Sequence, residues 1–283
     1  MIFGLGAALG WGLADFGVAM VSRRIGSFAT LLLAQLGGLI LFTAMLAFPA
    51  FSLPHFHVAL LLLPVFGVGG ALSYLAFYRA LQLGPIALVS PIVAGYAAIV
   101  ITLSLVVLGE SVSVLALAGA IVTIAGVAIA STDWRRLRQE RPKERGGIFF
   151  AFLAMAGFGV GSFLIASFAK GAGWFGATYL SRIGSAIALI VMVAFLGTGK
   201  LRESRPGTVA SALVMGVLDI LGFASFAAGS ELGFVSITAA ASVTYPLLPI
   251  LGGIFYFGER PAPNQFAGVA VVICGLALLA FGR

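Results

Sequence analysis

Long uninterrupted apolar runs recur from one end of this 283-residue chain to the other. A run of roughly 17 to 25 apolar residues lets a helix cross the hydrocarbon core of a bilayer. A β-barrel would instead need short strands in which apolar and polar positions alternate, and the runs here are continuous. Only 9% of the residues are charged, against about 25% in a typical soluble domain. The sequence therefore predicts an all-α integral membrane protein.

Glycine, proline and charged residues divide the apolar sequence into ten predicted transmembrane spans. The first five are 2–21, 28–48, 58–81, 85–107 and 112–131, and the second five are 147–168, 174–197, 207–229, 234–256 and 264–281. The chain thus divides into a first unit (1–131), a basic linker (132–146) and a second unit (147–283). The first run has no basic leader region and contains Asp15, so we expect it to remain as a membrane helix.

The two units share landmarks at constant offsets. A shift of 149 places Tyr96 on Tyr245 and Gly109-Glu110 on Gly258-Glu259, and a shift of 147 places Gly10, Gly12, Phe16 and Gly26 on Gly157, Gly159, Phe163 and Gly173. Because each unit has five spans, an odd number, the second copy enters the membrane upside down. Inverted repeats are typical of secondary transporters, whose substrate site lies near mid-membrane between the halves. The alternative is that apolar helices resemble one another through composition alone.

The basic residues indicate the orientation of the chain. Only Lys170 and Arg283 are predicted on one side of the membrane. Arg79 lies close to the other side, and the loops on that side contain Arg23, Arg24, Arg135, Arg136, Arg138, Arg141, Lys143, Arg145, Lys200, Arg202, Arg205 and Arg260. By the positive-inside rule the strongly basic side, including the linker, is cytoplasmic and both termini lie outside. We expect a multi-pass protein of the plasma (inner) membrane. Since the basic residues lie in short loops, no nucleic-acid partner is predicted.

Several short motifs resemble the EamA domain of the drug/metabolite transporter superfamily. They are Trp11-Gly12, Leu83-Gly84-Pro85, Tyr245-Pro246, and Gly258-Glu259-Arg260 followed by Gln265, Gly268 and Gly275. The resemblance covers the whole chain as two EamA units. It implies ten helices around a central cavity, lined chiefly by the first, third and fourth helices of each half, and the transport of small organic solutes.

The chain departs from that family at three points. The proline present as Pro246 in the second unit is replaced by Ala97 in the first, and the arginine present as Arg182 is replaced by Gln35. Many relatives keep both termini in the cytoplasm, whereas the charge distribution here predicts the opposite.

Three charged side chains fall within predicted spans: Asp15, Arg182 and Asp219. Charge inside a bilayer is costly and usually faces a cavity or a partner. At about 1.5 Å of rise per residue, both aspartates lie near mid-depth and the arginine lies close enough to reach either one. A carboxylate here can bind a cationic group or a coupling proton, and we favour Asp219 for that role. The alternatives are a structural Asp–Arg pair and, for Asp15, a bond to the backbone at a helix break.

Aromatic residues on the predicted cavity helices form the second part of the candidate site. Ring faces beside carboxylates suit cationic or aromatic solutes, although single rings also serve as packing or membrane-interface residues. Tyr96 and Tyr245 are the favoured pair, because they occupy equivalent positions in the repeats. The full set is Trp11, Tyr74, Tyr78, Tyr96, Phe158, Phe223 and Tyr245.

Other kinds of chemistry have little support in the sequence. There is no phosphate-binding glycine-rich loop ending in Lys-Ser or Lys-Thr, His55 and His57 are too few for a zinc site, and Cys274 is the only cysteine. We expect no cofactor and no metal. An integral-membrane enzyme acting on lipids and a channel remain as alternative classes.

The sequence is best interpreted as a secondary active transporter rather than an enzyme. It is expected to move an amino acid or related small metabolite, as an exporter, by alternating access; the alternative is an importer of a quaternary amine such as choline. The expected partners are the solute, membrane lipids and a coupling proton, and the expected assembly is a monomer or a weak homodimer.

Overall fold

A computed structural model describes residues 1–51, 53, 56–83, 89, 92–131, 142–196, 205–248, 251 and 262–282, with backbone alone for 56–62, 142–145 and 195–196 and for residues 19 and 131. These residues form ten helices and no strand. The helices are α1 (Ile2–Ile25), α2 (Ser27–Met45), α3 (Phe56–Leu83), α4 (Tyr96–Val107), α5 (Val114–Ser131), α6 (Pro142–Ala172), α7 (Trp174–Leu196), α8 (Pro206–Leu232), α9 (Val235–Ser242) and α10 (Pro263–Phe281).

The predicted helices are found, but two of them are shorter than expected within the described residues. The fourth has a turn at Gly95 before α4 begins, and the ninth ends at Ser242 and continues as turns through Pro246. The Ser242 and Thr244 hydroxyls donate to backbone carbonyls three residues earlier, and proline has no N–H to continue a helix. Local hydroxyl bonds of this kind compete with the helical ladder.

Some sequence landmarks lie outside the described residues. These are His55, Gly84-Pro85, most of the basic linker (132–141) and Gly258-Glu259-Arg260. The described part of the linker is already helical, since α6 begins at Pro142.

The helices have the length and composition of membrane spans. Six of them, α1, α2, α6, α7, α8 and α10, contain apolar stretches of at least 18 residues, and the shorter apolar helices Ile92–Val107 and Val114–Ala130 accompany them. Large apolar side chains point outward along these helices: Leu13 is 48% exposed, Leu72 is 55% exposed and Ile273 is 62% exposed. Because a soluble protein buries such surface, the outward apolar faces identify an integral membrane protein.

Glycines allow repeat-equivalent helices to pack closely. A Cβ at Gly275 would lie 2.5 Å from the Thr123 nitrogen, and one at Gly126 would lie 2.7 Å from the Val272 nitrogen. Small residues at such spacings let membrane helices approach at backbone distance. Helices α5 and α10 are antiparallel. The Ser113 hydroxyl, just before α5, donates to the Gly282 carbonyl, just after α10, and the start of α10 lies near the end of α5.

Helix packing follows the repeats elsewhere too. The α1–α8 contact has its counterpart in α3–α6, α2–α8 in α3–α7, and α1–α9 in α4–α6. The two ends of the bundle are named here by their contacts. The Lys170 face contains Lys170, Glu110 and the start of α9; the basic face contains Arg23, Arg24 and the end of α3.

Candidate functional site

A small cavity of about 50 Å³ lies at the centre of the bundle, between the two units. Its lining comes from α1, α3, the fourth-span segment, α6, α8 and the turn after α9. These are the first, third and fourth elements of each unit. The lining residues are Trp11, Asp15, Tyr74, Phe77, Val93, Tyr96, Phe158, Ser162, Asp219, Phe223 and Tyr245.

Most of the lining consists of repeat-equivalent pairs. Adding 147 to positions in the first helix, or 149 to positions in the third and fourth, converts one member of a pair into the other. Aromatic residues therefore face the cavity from both units. The pairs are Trp11 with Phe158, Asp15 with Ser162, Tyr74 with Phe223 and Tyr96 with Tyr245.

Asp219 is fully paired by neighbouring side chains. Its Oδ2 lies 2.7 Å from the Arg182 guanidinium, and Tyr74 donates its hydroxyl to the same carboxylate at 2.8 Å. The other guanidinium nitrogen of Arg182 donates to the Gln35 carbonyl oxygen. Arg182 is 4% exposed. The pair is therefore neutral overall and links α2, α3, α7 and α8 at the wall of the cavity.

Within the described part of the chain, Asp15 has no comparable partner. It lines the same cavity and interacts electrostatically with Asp219, yet no described residue donates a hydrogen bond to its carboxylate or forms an ion pair with it. An ionised carboxylate inside a membrane is costly without a cation. The arrangement therefore provides one carboxylate able to take a proton or a cationic group.

Ring edges and polar atoms complete the walls. Trp11 lies 4.9 Å from Phe223 and 6.0 Å from Tyr96, measured between ring centroids. The indole N–H of Trp11 is buried without an acceptor among the described residues. Tyr96 and Ser242 share a 2.5 Å hydrogen bond between their hydroxyls, so the fourth and ninth elements are joined beside the cavity.

Eight of the ten residues predicted from the sequence line this cavity. Arg182 lies behind Asp219, and Tyr78 packs its ring 5.9 Å from that of Tyr74 without lining the cavity. The sequence interpretation missed Phe77, Val93, Ser162 and the contact from Gln35. The repeat offset is a signal for two of them, because Ser162 is the repeat counterpart of Asp15 and Gln35 is the counterpart of Arg182.

Two further cavities share lining residues with the central one, directly or in turn. An adjoining cavity of about 170 Å³ shares Tyr74, Phe158, Ser162 and Phe223 with the first. It shares Gly69, Ser73 and Gly157 with an open groove of about 1270 Å³. The three cavities therefore have walls in common along α3 and α6.

The Lys170 face is closed by a contact between the units. Glu110, in the turn between α4 and α5, accepts hydrogen bonds from the Val235 and Ser236 N–H groups at 2.8 and 3.1 Å. Lys170 lies 3.1 Å from the same carboxylate. Burial raises the pKa of Glu110, but these bonds and that of the Ser236 hydroxyl outweigh burial and lower the pKa below 4.5. The carboxylate is thus ionised and caps α9.

Comparison with known proteins agrees with this architecture. A family model described as the EamA-like transporter family matches residues 1–132 and again residues 145–281. The chain belongs to the EamA-like transporter family. The two matches show that the chain contains two EamA units, consistent with the drug/metabolite transporter superfamily, and that it is a membrane transporter by family.

Structural comparison gives the same fold. A solved crystal structure, described only as that of a protein, matches with a TM-score of 0.76 at 18% sequence identity, covering 99% of this chain and 96% of the other. At that identity the match concerns the EamA fold alone. No curated protein matches the chain in sequence.

Proposed function

We propose that this EamA protein is a secondary active transporter that binds a small organic solute bearing an ammonium group in the central cavity. The observation that carries the proposal is the Asp15 carboxylate, which has no cation partner among the described residues and faces a cavity lined with aromatic rings. Ring faces and a carboxylate together attract a desolvated ammonium group. An amino acid or related small metabolite fits best, and a quaternary amine is the second candidate.

The two candidate solutes differ in how well they can pair the indole N–H of Trp11. The indole N–H of Trp11 is a buried donor without a described acceptor, so the carboxylate of an amino acid would satisfy it. A quaternary amine such as choline offers only a neutral hydroxyl oxygen, which accepts a weaker hydrogen bond than a carboxylate does. We therefore place the amino acid first.

The cavity must enlarge to admit either solute. A volume of about 50 Å³ holds about one or two water molecules, whereas ligand pockets are usually several hundred cubic ångströms. The aromatic walls therefore move apart during binding. Such a motion fits alternating access, and the Glu110 contact that joins the units at the Lys170 face supports it.

We further propose that the two units form inverted five-helix repeats and that the basic face is cytoplasmic, with both termini outside in the plasma membrane. Antiparallel packing of the equivalent helices α5 and α10 supports the inverted arrangement. Arg23, Arg24 and Arg205 at one end support the orientation. Export driven by proton exchange at Asp15 is the cycle that these features favour.

The test is a thermal-unfolding screen of the purified protein against amino acids, quaternary amines, nucleosides and sugar phosphates. A ligand that binds the folded state raises its melting temperature by mass action. We expect a saturable shift with one ammonium-bearing class, and at least a tenfold loss of affinity in Asp15→Asn.

The matched control is Ser162→Ala, which alters the repeat-equivalent position on the same cavity without changing charge. It should retain binding within a few-fold. Unchanged affinity in Asp15→Asn, or a shift only with sugar phosphates, would contradict the proposed site.

A further inference from the structure

The open groove at the basic face has features that transport of an ammonium solute does not require. Its wall contains Arg23, Arg24 and Arg79, all exposed. No Asp or Glu is among the described residues that line it. Three guanidinium groups therefore converge on one groove, and the described part of its lining has no carboxylate to balance them.

The N-terminus of α2 opens into the same groove. This helix has no side-chain cap at Gly26, so its first amide N–H groups are available to an anion. The hydroxyls of Ser22 and Ser27 also line the groove region, are buried and have no hydrogen-bond partner among the described residues; Ser22 is 1% exposed. Unpaired buried hydroxyls indicate that a polar ligand group belongs there.

In the second unit, the equivalent helix N-terminus contacts a carboxylate of the chain itself. At the equivalent start of α7, Glu231 accepts the Trp174 N–H at 2.6 Å. Its repeat counterpart, 149 positions earlier, is Gln82, which instead donates to the Ser22 carbonyl at 3.2 Å and accepts from Arg79. Among the described residues, the chain thus supplies its own carboxylate at the start of α7 and none at the start of α2.

The rest of the groove is apolar and faces sideways. Leu75, Phe150, Leu72 and Leu153 line it, and the last two are 55% and 48% exposed. Exposed leucines on spanning helices contact lipid. A ligand that joins a phosphate to a hydrocarbon chain would therefore match both ends of the groove.

We propose that this groove binds an anionic phospholipid, with its phosphate at the α2 N-terminus among Arg23, Arg24 and Arg79 and one acyl chain along α3 and α6. Basic pockets between helices at a membrane surface suit anionic headgroups. The bound lipid occupies the place that Glu231 occupies in the other unit.

The test titrates detergent-purified protein with phosphatidylglycerol, phosphatidylcholine or soluble glycerol phosphate, following the melting temperature and counting retained lipid by native mass spectrometry. We expect saturable stabilisation by phosphatidylglycerol at lower concentration than by phosphatidylcholine. Each of Arg23→Gln, Arg24→Gln and Arg79→Gln should weaken binding by about fivefold. The control, Arg205→Gln, removes the same charge from the same face outside the groove and should leave binding unchanged.

A second variant keeps the test independent of folding. Gln82→Glu places a carboxylate where the second unit has Glu231, so it should lower phosphatidylglycerol affinity while preserving or raising the melting temperature without lipid. Equal binding of phosphatidylcholine, an equal effect of glycerol phosphate alone, or an equal loss in Arg205→Gln would each overturn the proposal.

Discussion

Single residues break a symmetric lining in a consistent way. Most aromatic positions of the cavity are matched between the units, but each carboxyl or guanidinium group has a neutral counterpart. Asp15 corresponds to Ser162 and Arg182 corresponds to Gln35. Asp219 corresponds to Gly70. Since charge is the costly element in a membrane, its confinement to single copies indicates that these side chains have separate tasks, with Asp219 and Arg182 holding the wall and Asp15 facing the cavity.

Removing Arg182 should be more harmful than removing the whole ion pair. Arg182→Gln leaves a buried, uncompensated Asp219 and should lower the free energy of unfolding by about 3–5 kcal/mol. The double variant Arg182→Gln/Asp219→Asn has no unpaired charge and should recover most of that loss. Denaturant titration in mixed micelles measures all three proteins. A double variant as unstable as the sum of both single variants would contradict this role.

Among the helices, the short ninth element contributes to the cavity through its broken end and to the contact between the units through its capped end. The ninth element is helical for only eight residues, Val235–Ser242, and its turns place Tyr245 on the cavity wall. Its N-terminus depends on Glu110, a residue from the other unit. Because the units are joined through this cap, we assign it the closing of the Lys170 face.

The Glu110 contact should weaken in acid. Its pKa is lowered in the folded protein, so the contact contributes fully above about pH 4.5 and is lost as the pH falls through the lowered pKa. Glu110→Gln should cost about 1 kcal/mol at pH 7, and this difference should vanish below the lowered pKa. Melting temperatures of both proteins between pH 7 and pH 3 test the prediction, and a constant difference over that range would contradict it.

The two ends of the molecule differ in how the units meet. Glu110 of the first unit contacts Val235, Ser236 and Lys170 of the second at the Lys170 face, whereas a groove of about 1270 Å³ lies at the basic face. A pseudo-symmetric bundle can exchange which end is tied, which is the property that alternating access requires.

The proposed orientation can be tested by thiol labelling. Cys274, the only cysteine, is replaced by serine, and single cysteines are placed at Leu232 on the Lys170 face or Arg24 on the basic face. We expect a membrane-impermeant maleimide to label Leu232→Cys in intact cells, and Arg24→Cys only after lysis, because positive charge remains cytoplasmic. The reverse pattern would invert the topology.

The sequence alone determined the helical class, the ten elements, the family and most of the cavity lining. The length of the apolar runs, the helix-breaking residues and the constant offsets between the repeats can all be measured along the chain without knowledge of how the helices pack. Only the tertiary structure decided that Arg182 pairs with Asp219, that Asp15 has no ion-pair partner among the described residues, and that Glu110 caps α9. Those outcomes depend on how far side chains reach between helices distant in sequence, such as Gln35 and Arg182, which lie 147 positions apart. Close helix packing sets those distances, and spacing along the chain contains no record of them.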